Sequence, residues 1–265
     1  MNTELRSPNP RSFSFKSVVS SRYVREPLIM VLAYLCYYMA RHIADDGGPA
    51  FENARRLMHF EDSIGIFKEV SLQSATISYD FVVHVFNIIY FYGHFPLIAA
   101  TGIFLFIKNP RVYSITRNAF LMSGAVALIL FALYPVAPPR LATFGIVDTL
   151  TQTIPISYDN SPYVNPYAAL PSMHVGWELL VALGLFLCFQ RGMLRWAVLI
   201  LPPAMFMATI ITGNHFFVDG IAGLFLCAAA FIVAYWLHER WPALQARILS
   251  RFRQLRGAPA PVPAD

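Results

Sequence analysis

The chain has few charged residues and few cysteines for its length. Asp, Glu, Lys and Arg make up 13% of its 265 residues, whereas the apolar types AVILMFWYC make up 57%. A soluble domain carries about 25% charged residues, so this composition leaves too little polar surface for one and also excludes a disordered chain. The three cysteines, Cys36, Cys188 and Cys227, all lie in apolar runs without CxxC spacing. The sequence therefore indicates neither a disulfide framework nor a zinc knuckle.

Long apolar stretches are what the chain has instead, and about six of them are present. They lie near residues 27–43, 81–107, 115–136, 172–190, 194–212 and 216–238. Five are roughly 19 residues or longer, which matches an apolar thickness of about 30 Å. The first has an uninterrupted apolar core of only 14 residues, so a signal peptide is an open alternative, although no good cleavage site follows. We predict an all-α fold, an integral membrane six-helix bundle.

The basic residues are distributed unevenly between the connections. Of the 20 lysines and arginines, 15 lie in the two terminal tails and in the second-to-third and fourth-to-fifth connections, and 5 lie in the alternate connections. Cytoplasmic loops carry the excess of Lys and Arg. We therefore predict that both termini are cytoplasmic and that residues 44–80, 137–171 and 213–215 lie outside. The positive charge then marks the inner membrane surface, not a nucleic-acid interface.

Three regions follow from this pattern. We predict a basic cytoplasmic tail over residues 1–26, a catalytic membrane domain over 27–240, and a basic amphipathic segment with a disordered tail over 241–265. In the outer connection, residues 50–70 are predicted to form one or two short amphipathic helices. The last region carries an apolar helical stripe that suits a helix on anionic lipid, with a solvated basic tail as the alternative. The stripe consists of Trp241, Leu244, Ile248, Phe252 and Leu255.

Polar residues gather at the predicted outer ends of three spans. Arg140 is predicted to close the third span, His174 to begin the fourth, and His215 and Asp219 to begin the sixth. Ionisable residues within a membrane are functional candidates, because their burial there is costly. His215 and Asp219 are four residues apart and share a helical face. A carboxylate there can hold the imidazole N–H and make the other ring nitrogen a better nucleophile or base.

The start of the fourth span also suits an anion. Proline followed by Ser172 is typical of a helix start, whose free N–H groups and positive dipole end attract phosphate. Arg140 offers a bidentate fork for the same group. Glu178, one turn below His174, is a candidate to hydrogen-bond His174 and raise its pKa. His94 is predicted to form an inter-helix hydrogen bond. A zinc site on His174, His215 and Asp219 is the rival reading.

These residues carry a family resemblance. The chain resembles the type 2 phosphatidic acid phosphatase superfamily, and within it the branch of inositol phosphorylceramide synthases, over roughly residues 45–240. The resemblance rests on residues 137–141 (APPRL), 165–174 (NPYAALPSMH) and 212–219 (TGNHFFVD). It implies a six-helix core with its site at the membrane surface.

The resemblance also implies roles for single residues. His215 would attack phosphorus and form a phosphohistidine, Asp219 would orient it, and His174 would protonate the leaving alkoxide. Ser172 and Arg140 would hold the phosphoryl oxygens, with no metal and no cofactor. We add three candidates for support of this site, namely Glu178, Asn214 and Asn165.

Two phosphate-binding cations of the superfamily are absent. Leu133 stands where phosphatase-type members carry a lysine, and Thr209 stands where they carry an arginine. Met173 and Leu141 replace a usual glycine and a usual proline. A phosphodiester monoanion needs less positive charge than a phosphomonoester dianion, so a diester substrate is favoured. Residues Arg55, Arg56 or Lys68 could restore the missing charge.

We therefore predict a metal-independent lipid phosphotransferase that moves a phosphorylated head group, similar to inositol phosphate, between lipids or alcohols. Hydrolysis of a lipid phosphate, such as phosphatidic acid or a polyprenyl phosphate, is the alternative. A transporter agrees less well with the sequence, because polar residues do not line a full path across the membrane. Membrane lipids are the expected partners, and nucleic acid is not. A bacterial inner membrane with the site on its outer side is the expected location, and the oligomeric state is not predicted.

Overall fold

The computed structural model describes residues 21–41, 47–142, 144–153 and 165–255, and this part of the chain is helical. Within these residues, the β-pairing consists of one isolated bridge between Val136 and Ala168. The predicted all-α class is therefore confirmed. The helices are α1 (Arg22–Arg41), α2 (Gly47–Ser63), α3 (Glu69–Thr76), α4 (Asp80–Ile88), α5 (His94–Lys108), α6 (Pro110–Leu133), α7 (Leu150–Thr153), α8 (Met173–Cys188), α9 (Met193–Ala197), α10 (Leu201–Ile211) and α11 (Phe217–Leu255).

Four helical stretches in the described residues are long and apolar enough to cross a membrane. The π-helical turn Ile89–Gly93 joins α4 to α5 in one of these stretches, and the 3₁₀ turn Val198–Ile200 joins α9 to α10 in another. The four stretches are Asp80–Lys108, Pro110–Leu133, Met193–Ile211 and Phe217–Trp241. Four of the six predicted spans are thus confirmed as membrane-length apolar helices, and the chain is an integral membrane protein.

The other two predicted spans are helical but do not meet the same criterion. The fourth is α8, an apolar helix of 16 residues, whose length is about 24 Å at 1.5 Å per residue. The first is α1, which packs against α6 and carries arginines at both ends. A total of six spans remains a prediction.

Helix α8 lies at the centre of the bundle. It contacts α5, α6, α10 and α11, and its approach to α11 is close because both helices present glycine at the contact. A Cβ atom on Gly176 would lie 2.6 Å from the Cys227 sulfur, and a Cβ on Gly223 would lie 2.1 Å from the Ser172 carbonyl oxygen. Only glycine fits at such separations, so these two positions fix how near α8 and α11 can be.

A structured cap covers one end of the bundle. It consists of α2, α3 and the connections 134–149 and 165–172, as far as they are described. Backbone hydrogen bonds join its parts, from Val136 N to Tyr167 O (2.9 Å) and from Ala137 N to Ala50 O (3.1 Å). Its apolar core includes Ala54, Leu57 and Phe216. The prediction of one or two short helices over residues 50–70 is confirmed by α2, whereas α3 begins only at Glu69, at the end of that range.

One predicted boundary needs correction. Helix α6 ends at Leu133, so Arg140 lies in the cap and does not close the third span. Tyr134 leaves the helical conformation, with φ −142° and ψ +70°, and Pro135 lacks an N–H, which together end the helix. At the other end, α11 continues without a break to Leu255. The segment after residue 240 is therefore helical and continuous with α11, with Trp241 and Phe252 exposed. The membrane-length apolar stretch ends at Trp241, and a position of the following segment on lipid stays a prediction. The tails 1–20 and 256–265 lie outside the described residues.

Candidate active site

His215 lies in the turn between α10 and α11. Gly213 has a φ of +72°, which permits the reversal, and the backbone N–H groups of Asn214 and His215 bond back to the Thr209 carbonyl. The ring Nδ1 is 2.9 Å from the Ala169 carbonyl oxygen. Because a carbonyl only accepts, Nδ1 donates and carries the proton, and Nε2 of the neutral ring has the free electron pair.

Asp219 supports the same ring from α11. Its Oδ2 lies 3.4 Å from His215 Nδ1 and accepts from the Phe216 backbone N–H at 2.9 Å. The carboxylate is fully buried, and its Oδ1 has no hydrogen-bond partner. The two side chains are neighbours as predicted, but His215 precedes α11 and does not share a helical face with Asp219.

Ser172 joins the start of α8 to the same turn. Its backbone N–H donates to the Asp219 carbonyl at 2.8 Å, which brings His174 near His215, with ring centroids 5.9 Å apart. The Ser172 side chain does not cap α8, and its buried hydroxyl has no hydrogen-bond partner. That hydroxyl is therefore available to a phosphoryl oxygen.

His174 lies between two other rings. Tyr90 stacks on one side with centroids 4.4 Å apart and planes 21° apart, and His94 lies at 4.4 Å with a 37° tilt. Both come from the stretch containing the π-helical turn Ile89–Gly93, and such turns are frequent at functional sites. The role of Tyr90 in this enclosure was not indicated by the sequence.

Glu178 has a different partner from the predicted one. Its Oε1 is 3.0 Å from His94 Nδ1, and both side chains are 2% exposed. Its Oε2 has no partner, so the predicted hydrogen bond from Glu178 to His174 is wrong. The inter-helix hydrogen bond predicted for His94 is confirmed, and its partner is Glu178.

Arg140 reaches the site through the residues before His215. Its backbone N–H donates to the Gly213 carbonyl at 2.9 Å, and its Nε donates to Asn214 Oδ1 at 2.9 Å. Its Nη1 bonds Asp148 Oδ2 at 3.1 Å, and the side chain is 2% exposed. Asn214 thus holds Arg140 against the turn. Asn165 makes a local contact, since its Oδ1 accepts from Tyr167 N at 2.9 Å.

Comparison with known proteins agrees with this arrangement. The sequence profile of the PAP2 superfamily matches residues 55–233, about two thirds of the chain. The chain belongs to the PAP2 superfamily. Members of this superfamily are enzymes that act on phosphate esters, lipid phosphates in general.

A curated relative narrows the comparison within the superfamily. The chain is 26% identical over 182 residues to the inositol phosphorylceramide synthase catalytic subunit aur1 of Schizosaccharomyces pombe. The match covers 59% of this chain and 40% of that protein, so the chain spans well under half of its relative's length. No solved structure matches the chain.

The two positions that lack the superfamily's cations have different surroundings. Leu133 is 76% exposed at the end of α6, whereas Thr209 is buried. Of the candidate replacements, Arg56 pairs with Glu52 on the surface of α2, and Lys68 is exposed. Arg55 lines a groove on the cap with Phe51, Leu141, Ala142 and Phe144. Arg55 is thus the replacement that lies beside the segment following Arg140.

The rival zinc site finds no donor set in the described residues. No group of three or more His, Cys, Asp or Glu side chains there is arranged to hold a metal ion. His215 Nδ1 is already bonded to Ala169 O, so this nitrogen is committed to the carbonyl.

Two glutamates of the cap were missed by the sequence reading. Glu69 Oε1 accepts from Phe217 N at 2.8 Å, and Glu61 Oε1 accepts from Val218 N at 2.7 Å. Phe217 and Val218 are the first residues of α11, between His215 and Asp219. In the sequence both glutamates lie in an amphipathic outer segment, where a carboxylate is expected to face water. Only the tertiary contact with α11 gives them a role.

Proposed function

We propose that this protein transfers a phosphorylated head group between membrane lipids or alcohols through a phosphohistidine on His215. The single observation that carries the proposal is the hydrogen bond from His215 Nδ1 to Ala169 O beside buried Asp219. It leaves Nε2 with its electron pair, as a nucleophile requires.

In the first step, Nε2 of His215 attacks phosphorus, a P–N bond forms and the P–O bond to the leaving alcohol breaks. His174 gives its proton to the departing alkoxide. In the second step, an alcohol or a water gives its proton back to His174 and attacks phosphorus, and the P–N bond breaks. Asp219 stabilises the positive charge that His215 acquires, while Ser172 and Arg140 are proposed to hold the phosphoryl oxygens.

Transfer is preferred over hydrolysis for two reasons. The missing lysine and arginine suit a phosphodiester monoanion, and the relative from Schizosaccharomyces pombe is named as a synthase of inositol phosphorylceramide. Hydrolysis of a lipid phosphate is the second candidate, because water can take the place of the acceptor alcohol in the same second step.

The test is to isolate the covalent intermediate. Purified protein in detergent is mixed with phosphoinositides, phosphatidic acid or polyprenyl phosphates labelled at phosphorus, with and without EDTA and an acceptor alcohol. After denaturation at alkaline pH, wild-type protein and His174→Ala should retain label on histidine, and His215→Ala should retain none. His59→Ala, an exposed histidine of α2, is the matched control.

Several outcomes would contradict parts of the proposal. Label retained by His215→Ala would exclude His215 as the nucleophile. Activity lost in EDTA and restored by zinc would favour the metal site instead. Release of inorganic phosphate in the presence of every acceptor tested, with no transfer product, would favour the hydrolase.

A further inference from the structure

The catalytic helix α11 begins against three carboxyl groups. Its first N–H groups, with that of Phe216 before it, donate to Asp219 Oδ2, Glu69 Oε1 and Glu61 Oε1 at 2.7–2.9 Å. Each N–H would otherwise be an unsatisfied donor at the start of a helix. Glu61, Glu69 and Asp219 are all at most 1% exposed. The turn that carries His215 is therefore held from two sides, by its own helix and by the cap.

The chain between α2 and α3 brings the two glutamates together. Gly65 has a φ of +75°, and the N–H groups of Ile66 and Phe67 bond back to the Glu61 carbonyl. This closes α2 in the manner of a glycine C-cap and returns the chain, so that Glu69 begins α3 beside Glu61. The side chains lie within hydrogen-bond range of each other.

Three ionised carboxylates cannot be accommodated here. The start of a helix supplies about half a positive charge, and no lysine or arginine in the described residues forms an ion pair with Glu61 or Glu69. Uncompensated buried charge is strongly unfavourable, and such a group takes up a proton instead. In addition, Glu61 Oε2 and Glu69 Oε2 are both buried without a hydrogen-bond donor. One proton between the two carboxyl groups satisfies both oxygens and removes one charge.

We propose that Glu61 and Glu69 share one proton and together cap the start of α11, which makes them positioning residues for His215 and Asp219. The inference rests on the proposed function for its consequence in catalysis, but the shared proton is a property of the folded protein alone. When Glu61 is neutral, Asp219 is the carboxylate that stabilises the positive charge acquired by His215 during the reaction.

The expected protonation agrees with the surroundings of Glu61. Burial, followed by the neighbouring Glu69, raises the pKa of Glu61 to about 9. The charged groups that act on it are Glu69 from α3 and Asp219 from α11, and both are acidic. A carboxyl group whose pKa is higher in the folded than in the unfolded state binds more protons when folded, so its stabilisation is lost as the pH rises towards 9.

The experiment compares Glu61→Gln with Glu61→Ala. A glutamine keeps an oxygen for the Val218 N–H and places an amide N–H where the shared proton lies, whereas alanine leaves a buried donor unpaired. Glu61→Gln should fold and keep kcat near pH 7 within about threefold, whereas Glu61→Ala should lose about tenfold or more. Glu52→Gln, at an exposed position on the same helix, is the matched control.

Two readouts separate a shared proton from a merely structural contact. An infrared band of a protonated buried carboxyl should be present near neutral pH in wild-type protein and in Glu52→Gln, and absent in Glu61→Gln. The wild-type unfolding temperature should fall as the pH is raised from about 5 to 9, and this fall should be smaller in Glu61→Gln. Neither readout needs activity, so each stands if the phosphohistidine proposal fails.

Three results would overturn the inference. The first is a carboxyl band in Glu61→Gln that is unchanged from wild type. The second is a fall of the unfolding temperature of Glu61→Gln with pH that equals the fall in wild type. The third is a Glu61→Gln protein that does not fold. Loss of activity alone in all forms, with the band and the pH dependence as expected, would count against the proposed reaction and not against the shared proton.

Discussion

His174 is enclosed by aromatic rings on both of its faces. Tyr90 and His94 each lie 4.4 Å away between centroids, so the imidazole has little freedom to rotate and keeps a fixed relation to His215. A general acid contributes only when its proton lies within reach of the leaving oxygen. The contacts with Tyr90 and His94 restrain the ring, and proton donation is the role that we propose for it.

This assignment predicts that His174→Ala depends on the leaving group. A lipid alkoxide has a high pKa and needs a proton to depart, and a nitrophenolate does not. The variant should lose about 10²–10⁴-fold in kcat on a lipid diester, and much less on a nitrophenyl phosphodiester. Steady-state rates on both substrates measure the difference. Equal losses on the two substrates would mean that His174 binds phosphate and does not donate a proton.

The buried pair His94 and Glu178 makes a prediction about stability. Removing one partner leaves the other group buried without its hydrogen bond, so Glu178→Leu should cost about 3–5 kcal/mol. The double variant His94→Phe with Glu178→Leu should recover much of this loss, because a packed apolar pair avoids the desolvation penalty. Thermal unfolding in detergent measures both. Glu239→Gln, in an exposed pair with Arg111, is the control and should change little.

Single residues were predictable from the sequence only where the spacing is local. His215 and Asp219 are four residues apart, so the chain itself keeps them close, although His215 precedes α11 and is not helical. Glu178 and His174 are also one turn apart, yet Glu178 bonds His94 on α5. Which neighbour a buried side chain selects depends on helices far away in sequence. For the same reason, the roles of Glu61 and Glu69 were not predicted, because their partners in α11 lie about 150 residues further along the chain.

Among the elements, α8 and α11 define the distance between the two histidines. The Ser172 N–H bonds the Asp219 carbonyl, and Gly223 lies directly against the Ser172 carbonyl. The ends of the helices were less predictable from the sequence than their presence, as α6 and α11 show. Apolar composition continues past Leu133, but Pro135 ends α6 three residues before the predicted boundary. Helix α11 continues to Leu255 although Pro242 lies within it.

The contact between α8 and α11 predicts the effect of Gly223→Ala. The added methyl group would lie 2.1 Å from the Ser172 carbonyl oxygen, which is backbone and cannot rotate away. We expect a loss of about 1–3 kcal/mol in stability and a fall in kcat, because His174 moves relative to His215. Thermal unfolding and steady-state kinetics measure these effects.

Gly102→Ala is the matched control, because a Cβ there has nothing within 4 Å. It should leave both stability and kcat near the wild-type values. Equal behaviour of the two alanine variants would contradict the view that the approach of α8 to α11 defines the site.

On the scale of the whole molecule, the candidate site and the basic residues lie at opposite ends. Arg140, Ser172 and His215 meet beneath the cap. The described basic residues of the second-to-third and fourth-to-fifth connections lie at the opposite ends of α6 and α8, namely Lys108, Arg111, Arg191 and Arg195. The structure agrees with the uneven distribution of basic residues, because α2 and α3 belong to the end that carries few of them. Which end faces the cytoplasm is still a prediction from the positive-inside rule.

Labelling of single cysteines tests this orientation. In a variant lacking Cys36, Cys188 and Cys227, Ser63→Cys places a thiol at the end of α2 and Ser250→Cys places one near the end of α11. The two positions are matched, because both serines are exposed and each bonds the carbonyl three residues earlier in a helix. An impermeant maleimide on intact cells should label position 63, and position 250 should react only after lysis. Labelling of position 250 with position 63 protected would invert the orientation and place the phosphohistidine chemistry on the cytoplasmic side.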